Sequence, residues 1–290
     1  MSAGQARGSR RSPDAVHVAP VQRIRLRYAK RGRLRFTSHR DFARAFERSL
    51  RRADVPMAYS AGFHPHPRIS YVGAAPTGVA SEAEYLEIAL AEHRDPAELA
   101  AVLDAALPAG LDIVQAVDAA DCPPGSLADA IQASEWQLEL AADPGQLQDA
   151  VTAFLREEVV LVERLTKDGR REIDARGPVL AARVAPAVSG AAAPAVSGAV
   201  APAASGAVAP AASGRPAVSA AGSADPRAIL TVVVRQVTPT VRPDDVLAAL
   251  RLVAGFAPSE PARATRLAQG PVDEAASVAD PLRKTGLSTR

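Results

Sequence analysis

The chain has 290 residues, 34 Lys or Arg against 32 Asp or Glu, and 48% hydrophobic with 23% charged residues. That is the balance of a globular protein with room for about two domains. Its one cysteine, Cys122, excludes a disulfide framework and the three-cysteine cradle of an iron–sulfur cluster. No apolar run reaches the roughly 20 residues of a membrane span, so a soluble, cytoplasmic protein without a membrane partner is expected.

The net charge of +2 hides an asymmetry. Residues 22–54 carry twelve Lys or Arg against three acidic residues, a net of +9. Residues 81–158 carry seventeen acidic residues against two arginines, a net of −15. A basic block suits nucleic-acid phosphate, which arginine holds in bidentate fashion. Only Lys30, Lys167 and Lys284 are lysine, which equally suits the arginine-rich solvated faces of proteins from a GC-rich genome.

In chain order, residues 1–21 lack periodicity and are expected to form a disordered arm. Met1–Arg11 has no apolar stretch of the kind a secretory leader needs. Gln22–Lys30 alternates: Ile24, Leu26 and Tyr28 share one face, and Arg23, Arg25 and Arg27 the other. This predicts a strand with one buried and one charged outer face. Ser38 can cap a helix from His39, with Phe42, Phe46, Ser49 and Leu50 on its apolar stripe, and Pro56 ends it. Met57–Ser60 and Arg68–Val72 read as short strands around a Gly/Pro-rich loop. Tyr85–Leu90 is a strand, Asp95-Pro96 opens a helix to Leu107, and Leu111–Val117 is a strand. The second half repeats this order. Glu135–Leu140 is a strand, and Asp143-Pro144 opens a helix to Arg156. Val159–Leu165 and Arg171–Ala175 are strands around a Lys167-Asp168-Gly169 turn. Ala228–Arg235 is strongly β, Pro243 opens a helix to Val253, and Ala262–Ala268 closes the sheet.

The predicted fold class is α+β, with two ferredoxin-like βαββαβ units in tandem over 22–120 and 130–270. Residues 183–214 are four copies of an octapeptide, from RVAPAVSG to AVAPAASG. Each copy is broken by Pro and Gly and holds nothing larger than Val besides the first Arg. Such a segment buries too little surface to offset its ordering entropy, so a disordered insert is predicted over 183–226. A disordered tail is expected over 271–290.

The most unusual stretch runs from Tyr59 to Ser70, with Phe63-His64-Pro65-His66-Pro67-Arg68 at its centre. The prolines stiffen the backbone around both histidines. With His39 they supply three imidazoles, open to several readings: metal ligation, acid/base catalysis, stacking on bases beside Phe63, or a structural Pro-rich turn. No motif such as HExxH accompanies them, and no resident metal or cofactor is expected. Glu82 and Glu84 precede a strand; ion pairing to the first helix and Arg68 is the favoured reading over acid/base work. Thr238–Asp245 is a stiff polar turn entering a helix, where Thr and Arg can hold an anion. Arg263, Thr265 and Arg266 add charge on the closing strand. No Walker loop or dinucleotide fingerprint is present.

Ile24–Tyr28, Phe36–Arg44, Tyr59–Ser70 and Pro76–Leu86, with Val241–Asp244 and Arg263–Thr265, resemble the radical SAM-linked (radical SAM-associated) proteins, a bacterial domain family of unknown function. The resemblance covers residues 22–120 and, more loosely, 130–268; the arm, the insert and the tail depart from it. It implies a chain that sits beside, or is fused to, a radical SAM protein in a context of RNA metabolism. It implies no catalytic residues. The paired units are also similar in outline to CRISPR-repeat endoribonucleases, a fold-level analogy only.

The leading expectation is an accessory protein, more an adaptor than an enzyme, that binds RNA or presents it to a radical SAM partner. Its binding residues would be Arg25, Arg27, Arg40, Arg44, Arg48, Tyr59, Phe63, His64, His66, Arg68, Arg242 and Arg266. A second expectation is a metal-independent RNA-processing or RNA-modifying enzyme using His39, His64 or His66. A third is a protein-interaction module without RNA contact.

Overall fold

The computed structural model describes residues 19–61, 63–166, 169–187 and 226–284. The first half is built around β1 (Gln22–Lys30). A 3₁₀ turn over Gly32–Phe36 leads into α1 (His39–Arg52). Then come β2 (Ile69–Val72), β3 (Ala80–Leu90), α2 (Pro96–Ala106) and β4 (Leu111–Asp118). The Ser38 hydroxyl accepts the Asp41 N–H at 3.2 Å, and Asp95 accepts the N–H groups of Ala97 and Glu98 at 2.9 Å. Both caps satisfy donors that a helix start leaves open. Phe42, Phe46 and Leu50 recur every four residues and pack with Leu26, Tyr28, Leu86 and Ile88. All pairings in this half are antiparallel, in the order β4-β1-β3-β2.

A single turn, α3 (Leu127–Ala130), precedes the second half. There β5 (Ala133–Ala141), α4 (Pro144–Arg156), β6 (Leu161–Thr166), β7 (Gly169–Asp174) and β8 (Val179–Pro186) follow one another. β9 (Arg227–Arg235), α5 (Pro243–Ala254) and β10 (Arg263–Gly270) complete it. The order is β10-β5-β9-β8, again antiparallel, over a second core of Leu138, Leu140, Phe154, Leu230 and Leu250. The halves meet where β10 lies parallel to β3, with Arg266 opposite Ser81. The result is a mixed α and β protein with one mostly antiparallel sheet of eight strands.

Four expectations are corrected. The runs 159–165 and 171–175 do not enter this sheet. They form a separate hairpin, β6–β7, and the vacant place beside β9 goes to β8. The first octapeptide therefore begins inside a strand: Arg183 pairs with Thr231 and Pro186 with Ala228. Proline is tolerated there because β8 is an edge strand at its end. Residues 188–225, most of the predicted insert, and residues 1–18 of the arm lie outside the described residues.

The tail departs likewise. Leu282 is buried with Ala83, Tyr85 and Leu127, and Lys284 Nζ donates to the Ala120 carbonyl at 3.1 Å. The strap runs so close to β10 that a Cβ at Gly270 would collide with the Ala279 carbonyl oxygen. Fourth, the outer face of β1 is not solvated along its length: Arg23 is exposed and Arg27 half-buried, but Arg25 between them is sealed. The segments 119–131 and 271–284 cover the side of the sheet opposite α1, and Arg25 is only 5% exposed. Its guanidinium donates to Glu87 Oε2 at 3.0 Å and to the carbonyls of Pro123 and Gly125 at 3.4 and 2.6 Å.

Candidate functional site

The basic block of the sequence separates into arginines that hold the fold and arginines that face water. Arg25 belongs to the first group. Arg27 is half-buried and donates to the Glu82 carbonyl at 2.8 Å. Arg31 grips Glu82 through two nitrogens and Asp112 at 2.8 Å. Hydrogen bonding to Glu82 holds the Arg31 guanidinium even more firmly protonated than usual. Arg25 is thus committed to the fold, because all its nitrogens donate to protein acceptors, whereas Arg27 spends only Nε in this way.

Arg40, Arg44 and Arg48 are exposed on one stripe of α1, continued by Arg51. Among the described residues none of these four pairs with a carboxylate. The stripe borders the loop that follows α1. Ser60 N–H donates to the His66 carbonyl at 2.9 Å, and His66 N–H to the Ser60 hydroxyl at 3.0 Å. These bonds close the loop and leave Phe63 92% exposed, with Tyr59, His64 and His66 also on the surface. A hollow of about 220 Å³ separates loop and helix, walled by Glu47, Arg51, Tyr59 and His66. Arg68 is half-buried at the loop's exit, its backbone tied to Ala58 and Ala89.

The three imidazoles do not converge. His39 lies edge-on to Tyr71 with ring centroids 4.9 Å apart, at the opposite end of α1 from the loop carrying His64 and His66. Among the described residues no three His, Cys, Asp or Glu are placed to share a metal ion.

A second polar centre, largely missed in the sequence, lies at the seam of the halves. Glu84 and Arg266 form an ion pair there, 2% and 4% exposed. Arg266 Nε also donates to the Ser81 hydroxyl at 3.3 Å, and its guanidinium lies 5.3 Å from the Trp136 ring centroid. Glu84 Oε2 accepts the Ala75 N–H at 3.0 Å. Lys30 Nζ donates to the carbonyls of Ala75 and Pro76 at 3.3 Å. Burial pulls the Lys30 ammonium below its ordinary value, with Glu84 working against that shift. Glu82 and Glu84 are ion-paired as expected, but with Arg31 and Arg266. The latter partner is 182 residues away, which no local signal announces.

Above this pair opens a cleft of about 250 Å³. The loop Gly73–Pro76 forms one wall; the end of β9 and the turn into α5 form the other, with Arg235 and Arg242 exposed on its rim. Gly73 has φ +56, and a Cβ there would sit 2.7 Å from Gln269 Oε1, so glycine is required for the loop to close on β10. Asp245 accepts the Arg242 N–H at 2.6 Å and also binds Arg164, which fixes the turn. Arg242 and Arg266, distant in sequence, therefore line one cavity.

The architecture and the exposed basic elements describe a mixed α and β protein with an arginine stripe on α1 and an arginine-lined cleft at the seam. Residues 23–210 match the model of a family of uncharacterized proteins conserved in bacteria (DUF2344), and the chain belongs to that family. The family's description carries no link to radical SAM enzymes. No curated protein matches the chain.

Proposed function

We propose that the protein is a radical SAM-associated accessory protein that binds RNA on the α1 face of its first half and presents it to its partner enzyme. The observation that carries this reading is the arginine stripe of α1, open to water and without carboxylate partners among the described residues, beside an exposed aromatic loop. Cations along a groove track a phosphate backbone, and an exposed ring such as Phe63 offers a platform for an unstacked base. The order β4-β1-β3-β2, repeated as β10-β5-β9-β8, supports reading the halves as tandem ferredoxin-like units, the second carrying the β6–β7 hairpin as an insertion. The radical SAM partner rests on the resemblance of the Phe36–Arg44 and Tyr59–Ser70 runs. A cytoplasmic location follows from an RNA role.

The test is filter binding of single-stranded RNA at several salt concentrations, with wild type and Arg44→Glu/Arg48→Glu. Affinity should fall with salt and collapse in the variant. Salt-independent binding, or equal binding by the variant, would remove the RNA reading. Capture of a radical SAM protein from lysate, with and without nuclease, tests the partner: no such protein in either sample would remove it.

A further inference from the structure

The seam cleft shares no lining residue with the α1 hollow, and its chemistry differs. Its lining includes three arginines, Arg235, Arg242 and Arg266, and no carboxylate. Glu84 is engaged by Arg266, and Asp245 by Arg164 and the Arg242 N–H, while Asp244 stands in the first turn of α5 two residues beyond Arg242. Arg266 is 96% buried yet retains a donor. Its Nε and Nη2 bind Ser81 and Glu84, whereas Nη1 has no partner among the described residues and is not sealed off from solvent. Trp136 and Glu84 fix the plane of that guanidinium, so the free edge is held ready and loses little side-chain entropy on binding. The positive end of the α5 dipole lies beside Arg242.

We propose that this cleft is a binding site for a phosphate monoester, with Arg266 at its buried wall and Arg235 and Arg242 closing over the phosphate oxygens. Arginine forks match the geometry of phosphate oxygens, and neither rim guanidinium is ion-paired among the described residues. At about 250 Å³ the cavity is below the usual size of about 300–1,000 Å³ for a drug-sized ligand. It therefore takes the phosphate and the adjoining sugar and leaves a base outside. The phosphate can come from a free mononucleotide or from the 5′ end of an RNA.

The experiment is calorimetric titration of the full chain with inorganic phosphate, AMP and adenosine. A parallel titration uses one oligoribonucleotide with a 5′-phosphate and with a 5′-hydroxyl. AMP and phosphate should bind and adenosine should not. Arg242→Ala and Arg235→Ala, both at exposed positions, should each weaken AMP by about tenfold, the value of one charge-assisted hydrogen-bonded contact. Arg44→Glu/Arg48→Glu should leave AMP affinity unchanged, which separates this site from the α1 surface. Preference for the 5′-phosphorylated oligonucleotide in wild type, lost in Arg242→Ala, identifies an RNA end as the source; equal binding of both oligonucleotides alongside AMP binding identifies a free mononucleotide. Absence of binding by phosphate and AMP overturns the proposal. So does AMP binding that survives both rim substitutions or falls in the α1 variant.

Discussion

Arg44 on α1 and Arg266 on β10 carry the same charge in opposite environments. Arg44 stands in water with no carboxylate partner among the described residues. Arg266 is buried between the halves, gripped by Glu84 and laid against Trp136. A buried charge is tolerated only when its partners replace its hydration, so removing a partner is costly. An exposed arginine contributes little to the fold and is therefore free to serve a ligand. The contrast separates structural from recognition charge in a chain whose sequence shows only a basic block.

The largest expected effect comes from breaking the buried side. Glu84→Leu leaves Arg266 and Lys30 without their carboxylate and should destabilise the protein by about 3–5 kcal/mol. The double variant Glu84→Leu/Arg266→Met should recover a large part of that loss. Urea unfolding midpoints measure both. If Glu84→Leu unfolds like wild type, the pair is not holding the seam.

Next in size is an alkaline limit. Burial raises the phenols of Tyr28, Tyr71 and Tyr85 above their ordinary value of 10.0. A raised folded value contributes stability that is full below pH 10 and is lost as pH climbs through 10 toward the folded values. Lys30 acts in the opposite sense: its lowered value means stability rises as pH approaches its ordinary 10.5. Three phenols outweigh one ammonium, so the urea midpoint should drop between about pH 9 and 11, and drop more steeply in Lys30→Met. A midpoint that holds or rises over that range would refute the assignment.

On the exposed side the effects fall on binding and leave stability alone. Arg44→Ala/Arg48→Ala should reduce the slope of log affinity against log salt by about 1.4, at roughly 0.7 per lost single-strand phosphate contact. Its unfolding free energy, read from urea titration, should stay within about 0.5 kcal/mol of wild type. Phe63→Ala should weaken RNA by about tenfold, the loss of one stacked base, without changing the salt slope. A change in slope, or no change in affinity, would remove the stacking role.

Local signals were legible where local physics decides. Ser38 and Asp95 cap helices where their chemistry says they should, and Phe42–Phe46–Leu50 pack inward on their spacing. The exposure of Arg40, Arg44, Arg48 and Phe63 also follows from pattern. Alternation along β1 marked Ile24 and Leu26 correctly and misjudged Arg25. The alternation says that two faces differ; it does not say what covers the polar one. Here the strap 271–284 and the segment 119–131 do, and both look like loops in isolation. β8 was missed because Val179–Pro186 lacks a strand's alternation and runs into the octapeptides, and its place is set by pairing with β9.

By itself, the sequence determined the βαββαβ element order of the first half, the caps and apolar stripes of the long helices in both halves, and a basic helix beside a stiff aromatic loop. These depend on neighbours within a turn or two, which the chain carries wherever it goes. Only the tertiary structure decided that β3 and β10 run side by side, that Glu84 meets Arg266, and that Arg235, Arg242 and Arg266 share one cleft. Such groups are brought together by strand register across 182 residues, and the energy that selects that register is distributed over two cores. No short motif encodes it.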